Sequence, residues 1–188
     1  MSTTHPTPAL EQALRASLLA RQRCLQAAQA LEGADLYVAA HAFRFTAAQE
    51  REHAAILQGM AQAPTEVLPP DAPLPAAPEE ILLEAIRRED DCAEALLPAA
   101  AREARNAGHT RAADALLRLA DNERRHARRF RQYLDALQSG TLLHGSGDWI
   151  CLVCGSLHHG ESAPESCESC GRSRGHFIRS DYSPFALS

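Results

Sequence analysis

Two short stretches of this 188-residue chain pair a carboxylate with an imidazole at helical spacing: Glu50-Arg51-Glu52-His53 and Glu123-Arg124-Arg125-His126. Residues three apart on a helix lie about 60° apart around its axis, so each glutamate and its histidine can reach one point. Glu50 to Glu123 and His53 to His126 are both 73 residues. The flanks echo as well, FTAAQEREHAAIL against LADNERRHARRF. This internal repeat predicts two copies facing each other across a pseudo-twofold axis. Carboxylate oxygen and imidazole nitrogen suit divalent first-row metals, and a carboxylate can bridge two of them. A solvated face, or buried Glu–Arg and Glu–His pairs, is the competing explanation for either motif alone.

A second set of ligands lies near the C-terminus: Cys151-x-x-Cys154, twelve residues, then Cys167-x-x-Cys170. Two such pairs can close a tetrahedral four-sulfur site for iron or zinc. Gly155 and Gly171 follow the second cysteine of each pair. Glycine there permits the positive φ that turns backbone N–H groups toward the sulfurs. Spacing alone leaves the choice between iron and a structural zinc ribbon open.

Four helices must position the first set. They are expected over about 8–31, 35–62, 79–107 and 110–138, with glycine turns at Gly33 and Gly108. Thr7-Pro8 supplies a cap and a first-turn proline, and Pro78 with Glu79 and Glu80 starts the third helix similarly. Positions seven apart fall within about 20° of one another. The inward stripes are then Leu10, Ser17, Cys24, Leu31; Leu36, Phe43, Glu50, Leu57; Leu82, Glu89, Leu96; and Leu116, Glu123, Phe130, Leu137. Three of the four carry a mid-helix glutamate. An unpaired buried carboxylate is expensive, so each needs a proton, a cation or a metal. Glu-x-x-His on two helices, with single glutamates on the others, is the ligand pattern of ferritin-like di-iron bundles.

Composition supports this division. Of 36 alanines, 34 precede residue 140, whereas seven of ten glycines and four of six cysteines lie at or beyond it. A bundle over 1–139, a linker over 140–148 and a small metal-binding domain over 149–188 follow. Residues 63–78 hold six of eleven prolines and read as a non-helical crossover. A net charge of −5 argues against general nucleic-acid binding. The absence of a long apolar run or a basic, hydrophobic start argues against a membrane span or export signal. Paired CxxC cysteines in such a chain point to a reducing cytoplasm.

These elements in this order resemble the rubrerythrin family, most specifically in QEREH, NERRH and WICLVCGSLHHGESAPESCESCG, from about Leu10 to Phe177. The resemblance implies an all-α, ferritin-like four-helix bundle with a long crossover and a rubredoxin-like domain. It implies reduction of hydrogen peroxide to water at a di-iron centre, with an FeS4 centre at Cys151, Cys154, Cys167 and Cys170 relaying electrons. A homodimer and a redox donor protein or reductase are the implied partners. By this carry-over Glu50 and Glu123 bridge the metals, Glu89 is a terminal ligand beside His126, and His53 serves the second metal. Two positions depart from the family: its glutamate on the first helix falls on Ser17 when counted from Glu50, or near Arg15 when aligned on Gly33, and its extra glutamate on the third falls on Cys92. Both losses strike the metal near His53. The expectation is therefore a firmer metal at Glu89/His126 and a weaker one completed by water or Cys92. A non-catalytic iron- or zinc-binding or electron-transfer protein is the alternative. Cys24 and Cys92 read as buried small hydrophobes. His41, His144, His158, His159 and His176 read as solvated imidazoles, and the arginines of the fourth helix as a salt-bridged face.

Overall fold

The computed structural model describes residues 7–61, 73–141, 144–154 and 156–179, with only the backbone described at 144–146. The helices are α1 (Pro8–Gly33), α2 (Tyr37–Ala61), α3 (Pro78–Asp91), α4 (Leu97–Asn106) and α5 (Thr110–Gln138). Thr7 caps α1 as expected, its hydroxyl accepting from the Leu10 N–H at 3.3 Å. The left-handed residue of the first turn is Asp35 (φ 60°) rather than Gly33, a conformation that aspartate tolerates better than most residues. Gly108 (φ 81°) makes the second turn.

The third predicted helix is interrupted. A π-helical turn, Cys92–Leu96, joins α3 to α4, and the Leu97 N–H reaches Cys92 O. Pro98 follows, and a proline has no N–H for the ladder, so the chain gains its extra residue where regular bonding fails anyway.

Two apolar clusters fill the bundle. One joins Leu10 and Leu14 of α1 to Leu57 of α2, Leu97 and Ala101 of α4 and Leu116 of α5. The other joins Cys24 and Leu31 of α1 to Phe43 of α2, Leu82 and Ile86 of α3 and Phe130 of α5. The C-terminal end of α2 thus lies at one end of the bundle and the start of α3 at the other, so residues 62–77 connect opposite ends. Most of that proline-rich crossover, 62–72, lies outside the described residues. Between the clusters runs a polar layer: Ser17, Glu50, His53, Glu89, Glu123 and His126, all buried.

The C-terminal unit is a three-stranded antiparallel sheet ordered β2-β1-β3, from β1 (His144–Cys151), β2 (Leu157–Ser162) and β3 (Phe177–Arg179). Residues 144–148, expected within a linker, instead open its central strand. Their glycines read as flexibility but serve a register shift between His144 and Gly147, where Gly147 takes φ 137°. Trp149, Phe177, Ala163, Cys151 and Cys167 form the small core.

This unit docks on the turn between α1 and α2. The His176 ring stacks on Tyr37 with centroids 3.9 Å apart, and the Ser173 hydroxyl donates to Asp35 Oδ1 at 3.3 Å. A Cβ on Gly175 would come within 2.2 Å of Asp35 O, so only glycine allows this approach.

Candidate metal centres

The heptad stripes bring Glu50 from α2, Glu89 from α3, and Glu123 with His126 from α5 to one place. A ligand atom from each lies within 4.8 Å of the others, and all four residues are buried. His126 Nδ1 sits 3.0 Å from Glu123 Oε2, 3.2 Å from Glu89 Oε2 and 3.2 Å from Glu50 Oε1. One ring nitrogen cannot satisfy three carboxylates. Glu50 Oε1 accepts no hydrogen bond, although it lies 3.4 Å from His53 Nδ1 as well. An orphaned buried carboxylate oxygen facing a crowded imidazole nitrogen is the arrangement that a metal ion resolves.

The electrostatics of the metal-free chain agree. Burial raises the Glu89 carboxyl well above its ordinary range, and repulsion from Glu50 and Glu123 adds to this. Burial would raise Glu123 too, but bonds from His126 and His53 outweigh it and hold this carboxyl far down. Burial disfavours both imidazolium ions, yet bonds to the glutamates prevail and lift His53 to about 9 and His126 to about 11. Protons thus occupy the cation positions when no metal is present.

His53 stands apart from the four-donor group. Its Nδ1 faces Glu123 Oε1 at 3.0 Å, and its Nε2 lies 3.4 Å from the Asn122 amide nitrogen. His126 is met by the matching amide, but through its oxygen: Nε2 lies 3.0 Å from Gln49 Oε1, which accepts. Gln49 and Asn122 are themselves 73 residues apart. The pseudo-twofold axis therefore exchanges second-layer partners too, each amide serving the histidine of the opposite helix. Sequence reasoning stopped one residue short of this pair, although the repeat that predicted the ligands contains it.

Of the two departures, Ser17 lies in this layer and Cys92 in the apolar cluster beside it. Ser17 is 1% exposed and its hydroxyl has no hydrogen-bond partner. Burial and the nearby carboxylates Glu123, Glu50 and Glu89 push the Cys92 thiol far up, and the same influences raise Cys24. Cys24 and Cys92 belong to opposite apolar clusters, so they diverge from the centre as expected.

In the small domain the four sulfurs converge. Cys151 Sγ lies 3.7 Å from Cys170 Sγ, and Cys154 Sγ lies 3.6 Å from Cys167 Sγ. A tetrahedron with metal–sulfur bonds of ~2.3 Å has edges of about 3.8 Å, so iron or zinc fits. Gly171 takes φ 72° as required, and Gly155 lies outside the described residues. Burial opposes charge on Cys167, but the Cys170 N–H, His158 and the Ser169 N–H hold its thiol down at about 5. The Ser156 hydroxyl and N–H lower Cys154. Cys170 receives the Arg172 N–H, yet burial and the neighbouring sulfurs push it up to about 12.

Two tail histidines are not stray. His158 Nε2 lies 3.7 Å from Cys167 Sγ with its ring edge-on to Phe177, and His176 is buried in the docking contact. A polar, glycine-rich context concealed both, because neither partner is near in sequence. His41 and His159 are exposed, and the side chain of His144 lies outside the described residues. The α5 arginines form the expected outer face: Arg124 pairs with Glu94 and Asp121, Arg131 with Asp90, and Arg129 covers the Phe45 ring.

A family model described as rubrerythrin matches residues 9–134, and one described as its rubredoxin-like domain matches 149–178. The chain belongs to the rubrerythrin family. It is 34% identical over 67 residues to a putative rubrerythrin of Methanocaldococcus jannaschii, covering 35% of this chain and 33% of that protein. It is 32% identical over 84 residues to rubrerythrin of Nitratidesulfovibrio vulgaris, covering 44% of each. The matched segments thus span less than half the length of these relatives. Solved structures of nigerythrin, in its mixed-valence and its all-ferrous reduced states, share the fold. Both have a TM-score of 0.64 and cover 95% of this chain and 88% of theirs, at 22% and 23% identity respectively. Rubrerythrins bind iron, and both ligand groups of such a protein, four cysteines and a carboxylate–histidine cluster, are present.

Proposed function

We propose that this rubrerythrin-family protein reduces hydrogen peroxide to water, with electrons entering at Cys151, Cys154, Cys167 and Cys170 and passing to the bundle site. The overall balance is one peroxide, two protons and two electrons to two waters. The observation that carries this reading is the convergence of Glu50, Glu89, Glu123 and His126 on one buried point. Iron held there would supply electrons one at a time and polarise a bound oxygen. Glu50 and Glu123, which face both histidines, are the residues proposed to act in the chemistry. His53 Nδ1 lies 3.0 Å from Glu123 Oε1, placed to pass a proton within that site. The buried layer between the two apolar clusters keeps bulk water out.

We also propose a homodimer, which the geometry of the relay supports. The tail docks at Tyr37, about 20 Å along α2 from Glu50 at 1.5 Å per residue. The proposed acceptor is therefore the bundle of a second copy. Phe45 (54% exposed) and Ile56 (44%) lie on one outward face of α2, within about 20° of each other, and support such a contact. The donor to the tail is a redox protein or reductase. No helix among the described residues is long and apolar enough to cross a membrane, and the six free cysteines suit the reducing cytoplasm proposed as its location.

Ser17 and Cys92 favour a second reading, a non-catalytic iron- or zinc-binding or electron-carrying protein. Stopped-flow absorption separates the two. The anaerobically reduced, bleached protein should regain its iron–thiolate colour on adding hydrogen peroxide. A protein that stays bleached, or that is colourless because zinc fills the tail, leaves the carrier reading.

A further inference from the structure

We propose that the bundle is a one-metal site: Glu50, Glu89, Glu123 and His126 hold a single ion, and the position beside His53 holds none. The inference takes only the identity of the metal from the function proposed above; the count rests on the donors.

The four-donor group is complete on one side of the polar layer. All four residues are at most 3% exposed, and their ligand atoms close within 4.8 Å without His53. On the other side a second ion would have His53 Nδ1 and two carboxylates already shared with the first. At the two positions where the family carries further acids, this chain has neutral groups. Ser17 offers a hydroxyl without a partner, and Cys92 a thiol buried beside three carboxylates. His53 is not idle. Its Nδ1 is bonded to Glu123 and its Nε2 faces the Asn122 amide, so both ring nitrogens have partners within the protein.

Charge counting gives the same result. Two divalent ions carry +4 against −3 from Glu50, Glu89 and Glu123, and oxidation of either would widen the gap. One ion carries +2 or +3, which leaves a net charge of only −1 or 0 against the same three carboxylates. Hard cations taken out of water need that balance from oxygen donors, and a neutral hydroxyl and thiol do not provide it. With one bundle ion, the two electrons that peroxide requires would be shared between that ion and an iron held by the four cysteines.

Metal stoichiometry of the full chain tests this. Metal-stripped protein is reloaded anaerobically with ferrous iron, freed of excess and analysed for iron per chain, with Mössbauer spectra to separate sulfur-bound from oxygen-bound ions. Two irons are expected, one of each kind, without magnetic coupling between oxygen-bound ions. Glu89→Gln should retain only the sulfur-bound iron. The Ser17→Glu/Cys92→Glu variant, which restores two acids to the empty side, should gain a third. Three irons in the unaltered chain, two of them oxygen-bound, would overturn the one-metal count and leave the redox reading intact. One sulfur-bound iron alone would overturn both. The unaltered chain decides the matter even if the double variant does not fold.

Discussion

Gln49 of α2 accepts from His126 Nε2 of α5 at 3.0 Å, and this bond leaves Nδ1 as the atom facing Glu50, Glu89 and Glu123. Outer partners of this kind fix the tautomer and the ring orientation of a ligand histidine, and losing one typically costs 10–100-fold in metal affinity. Gln49→Leu should therefore weaken the bundle metal by roughly 10–100-fold in a chelator competition, whereas Gln49→Glu, which keeps an acceptor, should retain it. Equal affinities for the leucine variant and the parent would remove Gln49 from the site.

The metal-free chain should lose stability as pH rises above neutrality. His53 is raised from an ordinary value of 6.5 to about 9. A raised histidine contributes stability that is complete below its unfolded value and is lost as pH passes through the folded one. His53 is buried, and its share is about 3 kcal/mol at 1.36 kcal/mol per pKa unit. Thermal unfolding of chelator-treated protein at pH 6 and pH 10 checks the sign, and His53→Gln should flatten the fall between about 6.5 and 9. Metal binding displaces the proton of His126, held up to about 11, so affinity should increase as pH rises toward that value. A metal-free chain more stable at pH 10 than at pH 6 would contradict the assignment.

Gly175→Ala should undock the tail without unloading it. The added Cβ would meet Asp35 O at 2.2 Å, whereas the four sulfurs lie on other segments of the domain. Limited proteolysis between α5 and β1 should accelerate while the iron–thiolate spectrum stays unchanged. Unaltered cleavage would mean that the contact tolerates a methyl group.

His158→Phe should lower the reduction potential of the sulfur-bound iron. Donors to the sulfurs stabilise the reduced, more negative centre, and His158 adds a side-chain donor at 3.7 Å from Cys167 Sγ. Spectroelectrochemical titration of the full protein measures it, and an unmoved potential would show that the contact carries no charge effect.

The helical half was legible in unusual detail because its signals are periodic. A seven-residue stripe places Ser17, Glu50, Glu89 and Glu123 in one layer, and a 73-residue repeat pairs His53 with His126. Features set by distant or backbone geometry were hidden. The π-helical turn at Cys92 arises where a helix accommodates Pro98. The glycines before Trp149 read as a linker because a bulged central strand and a flexible loop use the same residues. His176 found Tyr37 only through docking of two units. Gln49 and Asn122 were within the visible repeat, but nothing in a single sequence separates an outer amide from an ordinary surface one.

The convergence of Glu50, Glu89, Glu123 and His126 on a bound cation is tested most directly by anomalous scattering at the iron edge from crystals of the iron-loaded protein. One peak should lie within coordinating distance of those four residues, and a second among Cys151, Cys154, Cys167 and Cys170. A map with density at the cysteines and nothing among the carboxylates would contradict the account at its centre.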